Sequence, residues 1–126
     1  MVDIEKIFPE GSTVAGPYTP ALRAGNLLFV SGQTPARGTT EIKEQTKTVL
    51  ENIKKIVEAA GAKVSNIVKT TIFLKNIKDF SKMNRTYQKF FEENGVSEKF
   101  PARSTVEVSN FPVTGMLIEI DAIAIL

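Results

Sequence analysis

With 126 residues, 42% of them apolar and 24% charged, the chain has the makeup of one ordinary globular domain spanning residues 1–126. Its net charge of +2 is too small to imply a nucleic-acid partner by itself. There is no Cys and no His, which excludes disulfides, thiolate nucleophiles, imidazole acid–base chemistry, Ser-His triads and nearly every zinc site. Whatever chemistry the chain performs must rest on carboxylates, Arg or Lys, hydroxyls, amides and backbone groups, and no metal site is expected. The apolar runs are too short to span a membrane. The N-terminal Met1-Val2-Asp3-Ile4-Glu5-Lys6 carries acidic residues and no signal-peptide apolar region, so a cytoplasmic location is expected.

Along the chain, Ala21–Ala24, Gly25-Asn26 and Leu27–Ser31 read as a hairpin whose two turn residues take positive φ angles. Gly32 and Pro35 close the second strand, and Arg37–Thr40 forms a polar loop. From about Glu41 to Ala60 the pattern turns helical: Val49, Ile53, Ile56, Val57 and Ala60 make one stripe, and Gly61 stops it. Residues 67–75 return to a β pattern. A second helix is expected from Asp79, as N-cap, to Asn94, with Phe80, Met83, Tyr87, Phe90 and Phe91 on its apolar stripe. Strands near 101–109 and 116–125 finish the chain. The order predicts an α+β plan with two helices on one face of a sheet. The final strand is apolar on both sides apart from Glu119 and Asp121. Two helices cover only one side, so the other side calls for further copies of the chain.

Five polar or aromatic features stand out. Arg103, in Phe100-Pro101-Ala102-Arg103-Ser104-Thr105-Val106-Glu107-Val108, shares a strand face with Thr105 and Glu107. A guanidinium on a rigid strand offers a planar fork for a carboxylate or phosphate, against the plainer account of a solvated arginine. Glu119 in an apolar strand needs a partner, a hydrogen bond or a wet cavity, and a structural ion pair satisfies that equally well. Asn84 interrupts the second helix's apolar stripe, and locally a bridging amide accounts for it. Tyr18, after Gly16-Pro17, reads locally as a loop anchor, and Ser31 before Gly32 as a turn residue.

Taken together, Gly16-Pro17-Tyr18, Ser31-Gly32-Gln33-Thr34-Pro35, Asn52-Ile53 with Glu58–Gly61, Val68-Lys69-Thr70-Thr71, Asn84 with Tyr87 and Phe90-Phe91, Phe100-Pro101-Ala102-Arg103-Ser104 and Ile118-Glu119-Ile120 resemble the RidA (YjgF, reactive intermediate deaminase) family over essentially the whole chain. The resemblance implies a chorismate-mutase-like homotrimer with a mixed, mostly antiparallel sheet and ligand clefts between subunits. It implies hydrolysis of 2-aminoacrylate and 2-aminocrotonate, in their enamine or imine forms, to 2-keto acids and ammonia, with no cofactor of its own. Carried over, Arg103 would hold the substrate carboxylate and Glu119 would position or activate water. Tyr18, Ser31, Gly32 and Asn84 would line the cleft. Thr105 stands where many bacterial members have Cys; imine hydrolysis needs no covalent intermediate, so its backbone is the part expected to matter.

Relatives described as translation inhibitors or single-strand ribonucleases make RNA cleavage a runner-up. The absent His and the lack of a basic-aromatic stripe disfavour it. A non-catalytic sensor binding 2-keto acids through Arg103 is the alternative of a different class. A specialist resembling the RutC branch, acting on an aminoacrylate derivative, is equally compatible with the sequence.

Overall fold

The computed structural model describes residues 3–126. Six strands, β1 (Ile4–Ile7), β2 (Ala21–Ala24), β3 (Leu27–Gln33), β4 (Ile67–Leu74), β5 (Ala102–Glu107) and β6 (Ile118–Ile125), form one sheet in the order β1-β2-β3-β6-β4-β5. All neighbours are antiparallel except β4 and β5, which run parallel. Helices α1 (Ile42–Ala59) and α2 (Phe80–Glu93) supply the connections. The expected α+β plan, two helices on a mixed and mostly antiparallel sheet, is what the chain adopts.

The core lies between the helices and one sheet face. Val49, Leu50, Ile53, Ile56 and Val57 of α1, with Met83, Tyr87, Phe90 and Phe91 of α2, pack over Leu28, Val30, Ile72, Leu74, Ile118 and Ile120. These are the positions the 3.6 and 2.0 periodicities select, because only one stripe of each helix and alternate residues of each strand can leave water together. Phe80 departs from the expected stripe: it is 38% exposed, at the first turn of α2.

Three local expectations are corrected. Strand β1 forms although periodicity gives no sign of it, since only Ile7 of its four residues is buried and pairing with β2 holds it. In the β2–β3 turn only Gly25 takes a positive φ, +62°, as a type II′ turn requires, whereas Asn26 does not. Asp79 caps α2 by position but not by its side chain. A 3₁₀ turn, Ile77–Asp79, precedes the helix, and Asn76 caps that turn by accepting from the Lys78 amide at 3.0 Å.

The second sheet face has no helix over it. Ile4, Leu22, Phe29, Val106 and Ile125 lie on it and are all more than a third exposed. Covering what remains exposed of each such side chain is worth about 0.5–2 kcal/mol, so this face favours association.

Candidate functional site

Arg103 stands on β5, the edge strand. Its register partner is the buried Thr70, so the two side chains share the helix-covered face. There the guanidinium meets α2. Its central carbon lies 4.9 Å from the centroid of the Tyr87 ring and 5.7 Å from that of Phe80. Tyr87 is itself fixed, 4% exposed, with its hydroxyl 2.8 Å from Thr70 Oγ1. Burial pushes the Tyr87 phenol above its ordinary pKa, while the Thr70 hydrogen bond and the Arg103 charge oppose that rise.

Asn84 falls between Phe80 and Tyr87 on the same side of α2, four residues after one and three before the other. Its Oδ1 is buried without a hydrogen-bond partner, the single such side-chain atom among the described residues. Native proteins leave few buried acceptors unmet, so this oxygen marks a place where a donor belongs. Thr105 pairs with Ile72 and follows Arg103 on the same face. The Val108 amide donates inward to Leu74 at 2.9 Å. Bonding in a parallel ladder alternates, so the Arg103 and Thr105 backbone groups face the free edge.

Glu119 sits elsewhere. It pairs with Phe73 in β4 and, one residue out of phase with the buried Ile118 and Ile120, projects to the uncovered face. Strand β3 bulges between Val30 and Gln33, opposite this part of β6. A Cβ at Gly32 would come within 2.7 Å of Glu119 Cδ and 3.1 Å of Cγ. Gly32 is therefore required for the carboxylate to lie where it does. Burial, and then the charge of Asp121 on the same face, raise the Glu119 carboxyl above its ordinary pKa.

Ser31 ties the Tyr18 loop to this group: its Oγ donates to Thr19 O at 2.5 Å and its amide to Pro20 O at 2.9 Å. Tyr18 is half exposed. Its hydroxyl accepts from the Ala15 amide at 3.5 Å. Gln45, which sequence reading missed, prepares the entry to β6. It is 1% exposed. Its Nε2 donates to Thr39 O and Gly115 O, both at 2.9 Å, and its Oε1 accepts from the Leu117 amide at 2.8 Å. A polar residue on the inner face of an amphipathic helix was the available signal.

The predicted residues thus fall into two groups. Asn84, Arg103 and Thr105 share the helix side at the β5 edge; Tyr18, Ser31, Gly32 and Glu119 gather near the β3 bulge. Within one chain Arg103 and Glu119 lie on opposite faces of the sheet. The charge acting on Glu119 is that of Asp121, not of a lysine or arginine, so the structural ion pair expected as the alternative for Glu119 has no support in the single chain. Among the described residues no group of His, Cys, Asp or Glu could hold a metal ion, and no helix is long and apolar enough to cross a membrane.

The chain is similar to known proteins over most of its length. The family model described as Endoribonuclease L-PSP matches residues 10–126. A RutC family protein of Pyrococcus horikoshii is 46% identical, over 95% of this chain and 96% of its own length. The 2-iminobutanoate/2-iminopropanoate deaminase of Escherichia coli K12 is 45% identical, over 87% of this chain and 88% of its own. Among solved structures, Escherichia coli TdcF with bound serine superposes with a TM-score of 0.84 at 36% identity, over 98% of this chain and 97% of that one.

Proposed function

Because the chain belongs to the RidA/YjgF family, we propose that it is a cofactor-independent imine deaminase, hydrolysing 2-aminoacrylate- and 2-aminocrotonate-type intermediates to 2-keto acids and ammonia. The observation that carries this reading is the Arg103 fork, held at a strand edge on two ring faces with no ion-pair partner among the described residues. The relative solved with serine supports a small carboxylate ligand, and a relative named as an imine deaminase supports the reaction.

In this reading residues 1–126 form a single domain that assembles as a homotrimer in the cytoplasm. The uncovered apolar face is buried between copies, and each cleft joins the Arg103 group of one copy to the Glu119 group of the next. Arg103 holds the substrate carboxylate bidentately, while Asn84 and the edge backbone at Thr105 complete that wall. Tyr18, Ser31 and Gly32 shape the wall that carries Glu119.

A protonated imine is already an activated electrophile, so holding it beside one oriented water supplies most of what is needed. Water oxygen bonds to the imine carbon as Glu119 accepts a water proton. The proton then passes to nitrogen; the C–N bond breaks and ammonia leaves as the hydroxyl gives its remaining proton to Glu119 and the C=O bond forms. Burial and the Asp121 charge raise the Glu119 pKa, which favours its taking up a proton. Thr105 needs no thiol in this scheme.

The test is a threonine dehydratase reaction with the protein added. Appearance of 2-oxobutanoate should accelerate while dehydratase flux stays constant. No acceleration by folded, assembled protein, beside an active control, would refute the enzyme. Binding of a 2-keto acid without turnover would then favour the sensor.

A further inference from the structure

We propose that Phe80 is a positioning residue which, with Tyr87, forms a two-ring seat fixing the Arg103 guanidinium; the effect on ligand rests on the reading of Arg103 above, whereas the seat itself does not. Phe80 opens α2 and is 38% exposed, although every other aromatic residue of that helix is buried. Its exposure has a purpose at this spot. The ring lies 5.7 Å from the Arg103 central carbon, and the Tyr87 ring lies 4.9 Å from it.

An unrestrained arginine on an edge strand samples many rotamers and must give them up when a ligand binds. Two ring faces remove that freedom beforehand and hold the guanidinium plane without using any of its N–H donors, which stay available for a bidentate partner. The two rings differ in what supports them. Tyr87 is buried and bonded to Thr70, so it belongs to the core as well as to the seat. Phe80 is half outside the core, so its contact with Arg103 can be removed with little loss of packing.

The experiment compares Phe80→Leu, Phe80→Tyr and Arg103→Ala with the parent as assembled protein. The Arg103 Nε–H resonance should be shifted by the ring currents in the parent. It should move toward the value of a free arginine in Phe80→Leu and keep its position in Phe80→Tyr. The dissociation constant for 2-oxobutanoate should rise about threefold to fivefold in Phe80→Leu, the range of a partly exposed cation–π contact, and return to the parental value in Phe80→Tyr. KM should follow it with kcat little changed, and the melting temperature should stay close to the parent's.

An unmoved Nε–H signal in Phe80→Leu would overturn the seat whatever the activity. So would parental affinity in that variant while Arg103→Ala abolishes binding. If neither the parent nor any variant binds or turns over ligand, the functional reading fails, and the resonance still decides the seat.

Discussion

Replacing Gly32 by Ala tests the placement of Glu119 without touching its chemistry. Gly32 is not among the glycines of positive φ, so alanine brings no left-handed strain. The new methyl would sit 2.7 Å from Glu119 Cδ and 3.1 Å from Cγ, and closer still to Oε2. Ordinary contact between such atoms is about 3.5–4.0 Å, so the carboxylate must retreat by roughly 1 Å. What it meets is the end of a flexible, half-buried side chain on the uncovered face, and the overpacking is relieved by rotation rather than by moving backbone. Stability should therefore change by less than about 1 kcal/mol, with the lowered entropy of the unfolded chain offsetting part of the crowding. A displacement of that size at a group orienting the attacking water should lower kcat by about tenfold to a hundredfold with KM within about threefold. Coupled dehydratase kinetics, thermal unfolding and sedimentation on the same sample supply the readouts. Parental kcat in a folded, assembled Gly32→Ala protein would refute a role for Glu119 at its observed position.

Arg103→Ala should lose about 1.5–3 kcal/mol of ligand binding, about one to two decades in affinity by calorimetry, while the protein stays folded; Arg103→Lys should restore only part, since a point charge cannot reproduce the fork. Unfolding of Arg103→Ala with residual activity retained would show Arg103 to be structural instead. Glu119 has its folded-state pKa raised, so the folded state holds that proton more tightly than the unfolded chain, and stability drains away as pH rises through the interval between the two values. Glu119→Gln should accordingly raise the melting temperature at about pH 7 more than at about pH 4, while slowing turnover more than it weakens binding. Gln45→Leu keeps the volume but leaves Thr39 O, Gly115 O and the Leu117 amide unmet, and should cost about 2–4 kcal/mol in denaturant unfolding.

Both helices were legible because their stripes are continuous: Val49, Ile53 and Val57, or Met83, Tyr87 and Phe91, leave water together and no loop can do the same. The parity of β5 was legible too, and Arg103, Thr105 and Glu107 do share a face. What a single strand cannot reveal is which of its faces a neighbour's residues join. That depends on register, and register placed Arg103 beside buried Thr70 but Glu119 beside Phe73 on the other side. Strand β1 was invisible since its stability comes from backbone pairing with β2. Gln45 was invisible because its three bonds reach residues up to 72 positions away. Spacing alone puts Phe80 on the core-facing stripe, although the first turn of a helix often projects past the layer beneath it.

Under the proposed assembly, the separation of Arg103 and Glu119 by the thickness of the sheet would have a genetic consequence. A cleft that draws one residue from each of two copies belongs to neither polypeptide. Two inactive versions of the chain, one altered at each position, can then complement: in randomly mixed assemblies about a quarter of the clefts draw both intact partners. A site contained within one chain would recover nothing from such a mixture, because every copy carries a lesion. In the proposed arrangement a lone, correctly folded copy would be inert, and dilution past the point of dissociation should extinguish turnover without unfolding anything.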